Sequence, residues 1–192
     1  LELASYFFTV LLVLIIHFFL TYGSLLFLLT KVKLVYFYSK MKNAILFAFS
    51  TASSAATIPV TLKTVEEELK VEKSVASFSV PLGATINMDG TAIMQGVATI
   101  FIANAYGINL EISDFISVIM VATMASIGTA GVPGVGLIML AMVLNQVGLP
   151  SEGIALIIGI DRLLDMTRTA VNVTGDATIS CVVASSEKKN KL

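Results

Sequence analysis

Five polar side chains share one helical stripe inside an otherwise apolar run, from Ile154 to Ala184: Asp161, Asp165, Arg168, Asn172 and Asp176. Steps of four, three, four and four residues keep them on one face of a helix. A soluble helix could turn such a stripe to water. The flanks, Ile154-Ala-Leu-Ile-Ile-Gly-Ile160 and Ala177-Thr-Ile-Ser-Cys-Val-Val-Ala184, have membrane composition instead. Charge at bilayer depth costs at least a few kcal/mol, so the stripe must face a protein interior or a wet cavity. Its chemistry is specific. The planar fork of Arg168 matches a carboxylate bidentately. Asp165, one turn away, can take an ammonium group. Asn172 can put its side chain on a substrate and its carbonyl on a cation. A ligand with one ammonium and two carboxylates fits this set, which describes an acidic amino acid. Asp89 and Asp176 are negative charges beyond that ligand's needs, and they suit Na+.

Composition agrees. Of 192 residues, 56% are hydrophobic and 13% charged, against about 25% charged in soluble domains, and the mean hydropathy is +0.91. The expected surroundings are a lipid bilayer, with no nucleic acid partner. Cys181 is the single cysteine, which excludes an internal disulfide and a cysteine metal cluster. The chain opens on Leu1, close to an apolar run, and reads as a piece of something longer. That run is too long for a cleavable signal and lacks a basic leader.

The elements that must position the stripe follow in order. Residues 3–29 carry no formal charge and can span about 30 Å of hydrocarbon. His17 lies mid-span, either as a proton relay or packed on another helix. Residues 34–73 read as a first re-entrant hairpin. Its first arm is too short to cross, its tip is the serine-rich Ser50-Thr-Ala-Ser-Ser-Ala-Ala-Thr57, and Pro59 is expected to stop one helix and begin another. Val60 to Lys73 is amphipathic. The re-entrant hairpin is the simplest shape, and a short loop between ordinary helices is the alternative. Residues 74–106 form a span broken at Gly83-Ala-Thr-Ile-Asn-Met-Asp-Gly-Thr91. Unwound backbone at that depth must line a cavity, and its carbonyls are good ligands for hard cations. Residues 113–148 read as a second hairpin, with apolar halves Phe115–Ile127 and Val135–Val147 around a tip with four glycines (Gly128, Gly131, Gly134 and Gly136) and Pro133. Residues 153–185 hold the stripe.

Hairpin, broken span, hairpin, polar span is an inverted repeat. The fold class expected is an all-α membrane protein with an inverted repeat of re-entrant helical hairpin plus discontinuous or polar transmembrane helix, the pattern of secondary transporters. With the end of the first span in the cytoplasm, lysines 31, 33, 40, 42, 63, 70, 73, 188, 189 and 191 all fall on the cytoplasmic side. Glu2, Glu111, Asp114 and Glu152 fall outside, in accord with the positive-inside rule. A multi-pass protein of the cell (inner or plasma) membrane is expected.

Asn87-Met-Asp-Gly-Thr91, the serine-rich first tip, Ser126-Ile-Gly-Thr-Ala-Gly-Val-Pro-Gly134 and Asp165…Arg168-Thr169…Asn172…Asp176 resemble the dicarboxylate/amino acid:cation symporters, the glutamate/aspartate transporters. The resemblance runs from about Leu3 to Glu187 and covers that family's C-terminal part. It implies sodium-coupled symport of aspartate or glutamate, no enzymatic activity, and a second hairpin that gates. It implies that Asp165 binds the substrate ammonium and Arg168 the side-chain carboxylate. Thr91, Thr169 and Asn172 would add polar contacts, Ser54 with nearby tip backbone would hold the main-chain carboxylate, and Val132 and Gly136 would contribute from the second tip. One sodium would use Gly83, Asn87, Asn172 and Asp176. A second would lie between Thr85, Met88 and the carbonyls of Ser126, Ile127 and Thr129. A third would use Asn87 and Asp89, with further ligands on an earlier span. That earlier part of the family also builds a homotrimer, expected for the full-length protein. By the same resemblance, Asp165 points to an amino acid over a dicarboxylate, Asp176 to sodium over protons, and Gln95 against proton coupling and potassium counter-transport. The family's further arginine is replaced here by Ala52 and Met166. Arg162 stands about 9 Å along the helix from Arg168 and is no obvious substitute. A proton-coupled or neutral-amino-acid carrier is the alternative within the family. An intramembrane aspartyl protease would leave Arg168 without a role, and a channel or structural bundle would not need an arginine beside an acid or a glycine-rich gate.

Overall fold

The structure is a computed structural model that describes residues 2–190. Lys191, one of the lysines assigned to the cytoplasmic side, lies outside the described residues. Among the described residues every regular element is helical.

Glu2–Ile16 (α1), a π turn at His17–Thr21 and Tyr22–Leu29 (α2) run on as 28 residues, with a mean hydropathy of 2.4 over the most apolar 18 of them. At 1.5 Å per residue they reach about 42 Å, more than the hydrocarbon thickness. Among the described residues this is the one helix that is both long and apolar enough to cross a membrane by itself. The stripe segment fails that test because it carries charge, and residues 74–106 fail it because they are broken.

Leu34–Thr51 (α3) and Ser54–Lys63 (α4) form the first helix pair. The chain turns at Ala52-Ser53, before Pro59. Ala52 takes a left-handed conformation with φ 50°, and the Ser53 hydroxyl accepts the Ala56 N–H at 3.1 Å, capping α4. Pro59 sits inside α4, where it removes one backbone donor without ending the helix. The amphipathic stretch expected over residues 60–73 is split. A π turn at Thr64–Glu68 follows α4, and Lys70 is left-handed with φ 58°.

Lys73–Ile86 (α5) and Asp89–Ala105 (α6) are parted by only Asn87-Met88. Ile112–Ile127 (α7) starts with a reciprocal cap, in which Glu111 and Asp114 each accept the other's backbone N–H. Val135–Gln146 (α8) returns after the glycine-rich bend, and a 3₁₀ turn at Ser151–Leu156 leads into Ile158–Asn190 (α9).

Two apolar cores hold these elements. Tyr6, Leu14, Met94, Ile102, Val118, Leu140, Leu144 and Leu164 build one, from α1, α6, α7, α8 and α9. Leu26, Phe37, Met41, Val65, Val80, Val173 and Cys181 build the other, from α2, α3, the π turn, α5 and α9. The first half of α9 thus serves one core and the second half the other, with the polar stripe at the junction. Large apolar side chains are exposed on the outside, with Val35 84% and Ile112 81% accessible. Such apolar surface marks contact with lipid or with further protein.

Candidate functional site

All five stripe residues of α9 are buried. Arg168 is 1% accessible, and its guanidinium is shared between two acids of its own helix. Nη1 donates to Asp161 Oδ1 at 2.7 Å and Nη2 to Asp165 Oδ1 at 2.8 Å. Its Nε is buried with no partner, as are the Tyr6 hydroxyl and Gln95 Oε1. Asp161, placed on the stripe by its spacing but given no role there, is the closer acid. Arg162 is exposed and shares no face with Arg168.

The two bends meet in front of this stripe. Gly131 O accepts the Ala55 N–H at 3.1 Å and the Ser53 hydroxyl at 2.7 Å. Gly134 N–H donates to Asp165 Oδ2 at 3.0 Å. A side chain at position 131 has no room, since its Cβ would stand 2.9 Å from Ala84 O and 3.0 Å from Ala55 N. The end of α5 therefore lies against the same bend. Between these elements is a cavity of about 20 Å³, room for one water rather than an amino acid. Ser54, Thr91, Val132, Gly136, Asp165, Thr169 and Asn172 line it together with Ala52, Met88, Thr129, Ala130 and Gly131. Arg168 stands behind that wall, with Nη2 3.4 Å from where a Cβ on Gly136 would be.

Asn87, Asn172, Asp176 and Gly83 converge further along the same stripe of α9. Asn87 Nδ2 donates to Asn172 O at 3.1 Å and to Asp176 Oδ1 at 2.9 Å. A Cβ on Gly83 would fall 2.6 Å from Asp176 Oδ1, so only glycine fits. Gly90 N–H donates to Asn172 Oδ1 at 2.8 Å, and Asn172 Nδ2 lies 3.3 Å from Met88 Sδ. The amide of Asn87 thus bridges two oxygens that could equally face a small cation. Rotating that amide would offer a third oxygen.

The second cation set is less gathered. Thr85 is exposed and its hydroxyl donates to Leu82 O at 2.8 Å. The Ser126 carbonyl accepts backbone N–H groups from Gly128 and Thr129. Ile127 is 49% accessible. Thr129 is buried, with its hydroxyl on Ala125 O. These residues would need a different arrangement of the second bend to share an ion.

Asp89 has partners from the first helix. Its Oδ2 accepts the Tyr22 hydroxyl at 3.1 Å and lies 3.0 Å from His17 Nε2. The His17 and Tyr22 rings meet edge to face at 4.7 Å. The π turn at His17 brings both side chains to α6, so His17 packs on another helix through a hydrogen bond. Tyr22 carried no signal in the sequence beyond being a phenol in an apolar span. Among the described residues no group of three or more His, Cys, Asp or Glu side chains is placed to hold a metal ion.

The model of the sodium:dicarboxylate symporter family matches residues 1–186. Excitatory amino acid transporter 3 of Mus musculus is 44% identical over 188 residues, covering 98% of this chain and 36% of its own length. Excitatory amino acid transporter 2 of Homo sapiens is 43% identical over 176 residues, 92% of this chain and 31% of its own. An excitatory amino acid transporter of Caenorhabditis elegans is 45% identical over 175 residues, 91% of this chain and 35% of its own. The chain spans about a third of the length of these curated relatives. The buried Arg168 among acids, the paired bends and the family match over nearly the whole sequence agree: the chain belongs to the sodium:dicarboxylate symporter family, integral membrane transporters and not enzymes.

Proposed function

We propose that this chain forms the substrate- and cation-binding part of a sodium-coupled symporter for an acidic amino acid, aspartate or glutamate, with the second helix pair as its gate. The observation that carries this reading is the meeting of both bends over Asp165, with Arg168 buried directly behind. Of the twelve residues that line that one cavity, seven are residues that the resemblance assigns to the substrate.

In this reading both pairs, α3 with α4 and α7 with α8, are re-entrant hairpins. The gate is held shut by the hydrogen bonds from Ser53 and Ala55 to Gly131 O and from Gly134 to Asp165. Entry of an amino acid displaces the second hairpin and frees Asp165 for the ammonium. Arg168 then trades an acid partner of its own helix for the substrate's side-chain carboxylate, and Nε supplies a spare donor. Ser54 and the first-turn N–H groups of α4 take the main-chain carboxylate, Thr91, Thr169 and Asn172 add polar contacts, and Val132 and Gly136 close over the ligand. Such an exchange suits a carrier, because a buried cation left without an acid is strongly disfavoured.

Sodium is cargo here. Gly83, Asn87, Asn172 and Asp176 offer the first site, and Asp176 provides the charge that the ion offsets. Thr85, Met88, Ser126, Ile127 and Thr129 form the second only when the gate is shut on substrate, which links the ion to closure. Asn87 and Asp89 form the third with an earlier span. The full-length protein is a homotrimer in a cell membrane in this reading.

The variant Arg168→Ala tests the assignment. Uptake of aspartate and glutamate should be lost while a neutral amino acid such as serine is still carried. Unchanged acidic uptake would refute the role given to Arg168.

A further inference from the structure

A second cavity lies far from the stripe's polar centre. The end of α2 and the turn after it (Leu28, Leu29, Thr30, Lys31 and Val32) face Ser185 and Lys188 on the last turns of α9 across a groove of about 530 Å³. That volume lies within the range of ligand sites. Its lining combines two chemistries. Leu28 is 71% and Leu29 45% accessible, which offers open hydrocarbon. Lys31 and Lys188 are exposed, and neither forms an ion pair among the described residues. The Ser185 hydroxyl makes no hydrogen bond there, whereas Thr30 is spent on Leu26 O and the Val32 N–H.

The position fits a lipid. The apolar helix Glu2–Leu29 stops at Leu29 and the first lysine follows two residues later, which sets Lys31 at headgroup level. An anionic phospholipid has the same order of groups: a phosphate for two ammonium groups and a hydroxyl, then acyl chains for Leu28, Leu29 and Val32. Free phosphate would leave the apolar lining without a partner. Lysines beside a membrane surface attract anionic lipids specifically through charge.

We infer that this groove binds the headgroup of one anionic phospholipid and ties the end of the first span to the end of the stripe helix. The inference rests on reading residues 2–29 as a membrane span, and does not depend on which amino acid is carried. In the orientation given by the lysines, the lipid belongs to the cytoplasmic leaflet.

The test uses the full-length protein in detergent, with melting temperature read against added dioctanoyl phosphatidylglycerol, dioctanoyl phosphatidylcholine or inorganic phosphate. Phosphatidylglycerol should raise the melting temperature saturably, and the other two should not. In the variant K31Q/K188Q the half-saturating concentration should rise about 25-fold, at about fivefold per lysine. The variant K63Q/K70Q, equal in charge removed, should behave as the parent. Three results would each overturn the proposal: no phosphatidylglycerol effect on the parent, as when protein fills the groove; an equal response to inorganic phosphate; or equal losses in the two double variants. Aspartate added in the same assay reports separately on transport-site binding, so failure of one reading is distinguishable from failure of the other.

Discussion

Arg168 and Asp161 stand two turns apart on α9 and meet in a buried 2.7 Å hydrogen bond. Asp165 shares the same guanidinium from the opposite amino group, at 2.8 Å. Asp161 thus keeps Arg168 charged and aimed while Asp165 is free to change partners.

Removing Asp161 should therefore cost more than removing a surface acid. Asp161→Ala leaves a fully buried guanidinium with one partner, and breaking a buried pair costs about 3–5 kcal/mol. Denaturant unfolding in micelles should show a loss in that range, and Asp161→Asn a smaller one. Stability equal to the parent in both variants would contradict a structural ion pair.

The bend-to-bend contacts predict how the gate behaves. Ser53→Ala removes the bond to Gly131 O and the cap of α4, together about 1–2 kcal/mol. Thiol labelling at Thr129→Cys, a position in the second bend that is only 4% accessible, should then run about 5- to 30-fold faster than with Ser53 in place. An unchanged labelling rate would mean that Ser53 does not hold the second bend.

Gly83 sets the room beside Asp176. With a Cβ 2.6 Å from Asp176 Oδ1, Gly83→Ala must move that carboxylate. If Asp176 holds sodium, the sodium concentration for half-maximal aspartate binding should rise about tenfold or more, a change of roughly 1.4 kcal/mol. A sodium titration in the variant measures it, and an unshifted curve would remove Asp176 from the ion site.

Much of this was readable along the chain because it is local. Helix-period spacing put Asp165, Arg168 and Asn172 on one face, and two glycines, Pro133 and a further glycine marked the bend between α7 and α8. The all-helical class followed from apolar run lengths. The first bend was harder. Pro59 is a strong breaker in general, yet the turn falls at Ala52, a residue type that seldom takes a left-handed conformation, and Ser53 was one of several serines able to cap. The partners of Asp89 were illegible for a different reason. His17 and Tyr22 reach it across 72 and 67 residues, and such pairing depends on how helices pack rather than on any periodic pattern. Asp161 was visible on the stripe, but whether an acid binds ligand or neighbour is decided by side-chain direction, which spacing does not supply.

The central claim is that an acidic amino acid and sodium bind together at this buried cluster. Calorimetry of aspartate binding to the full-length protein, with sodium and then with choline in its place, tests it most directly. The account predicts saturable heat in sodium and none in choline. Equal binding in both salts, or none in either, would contradict it.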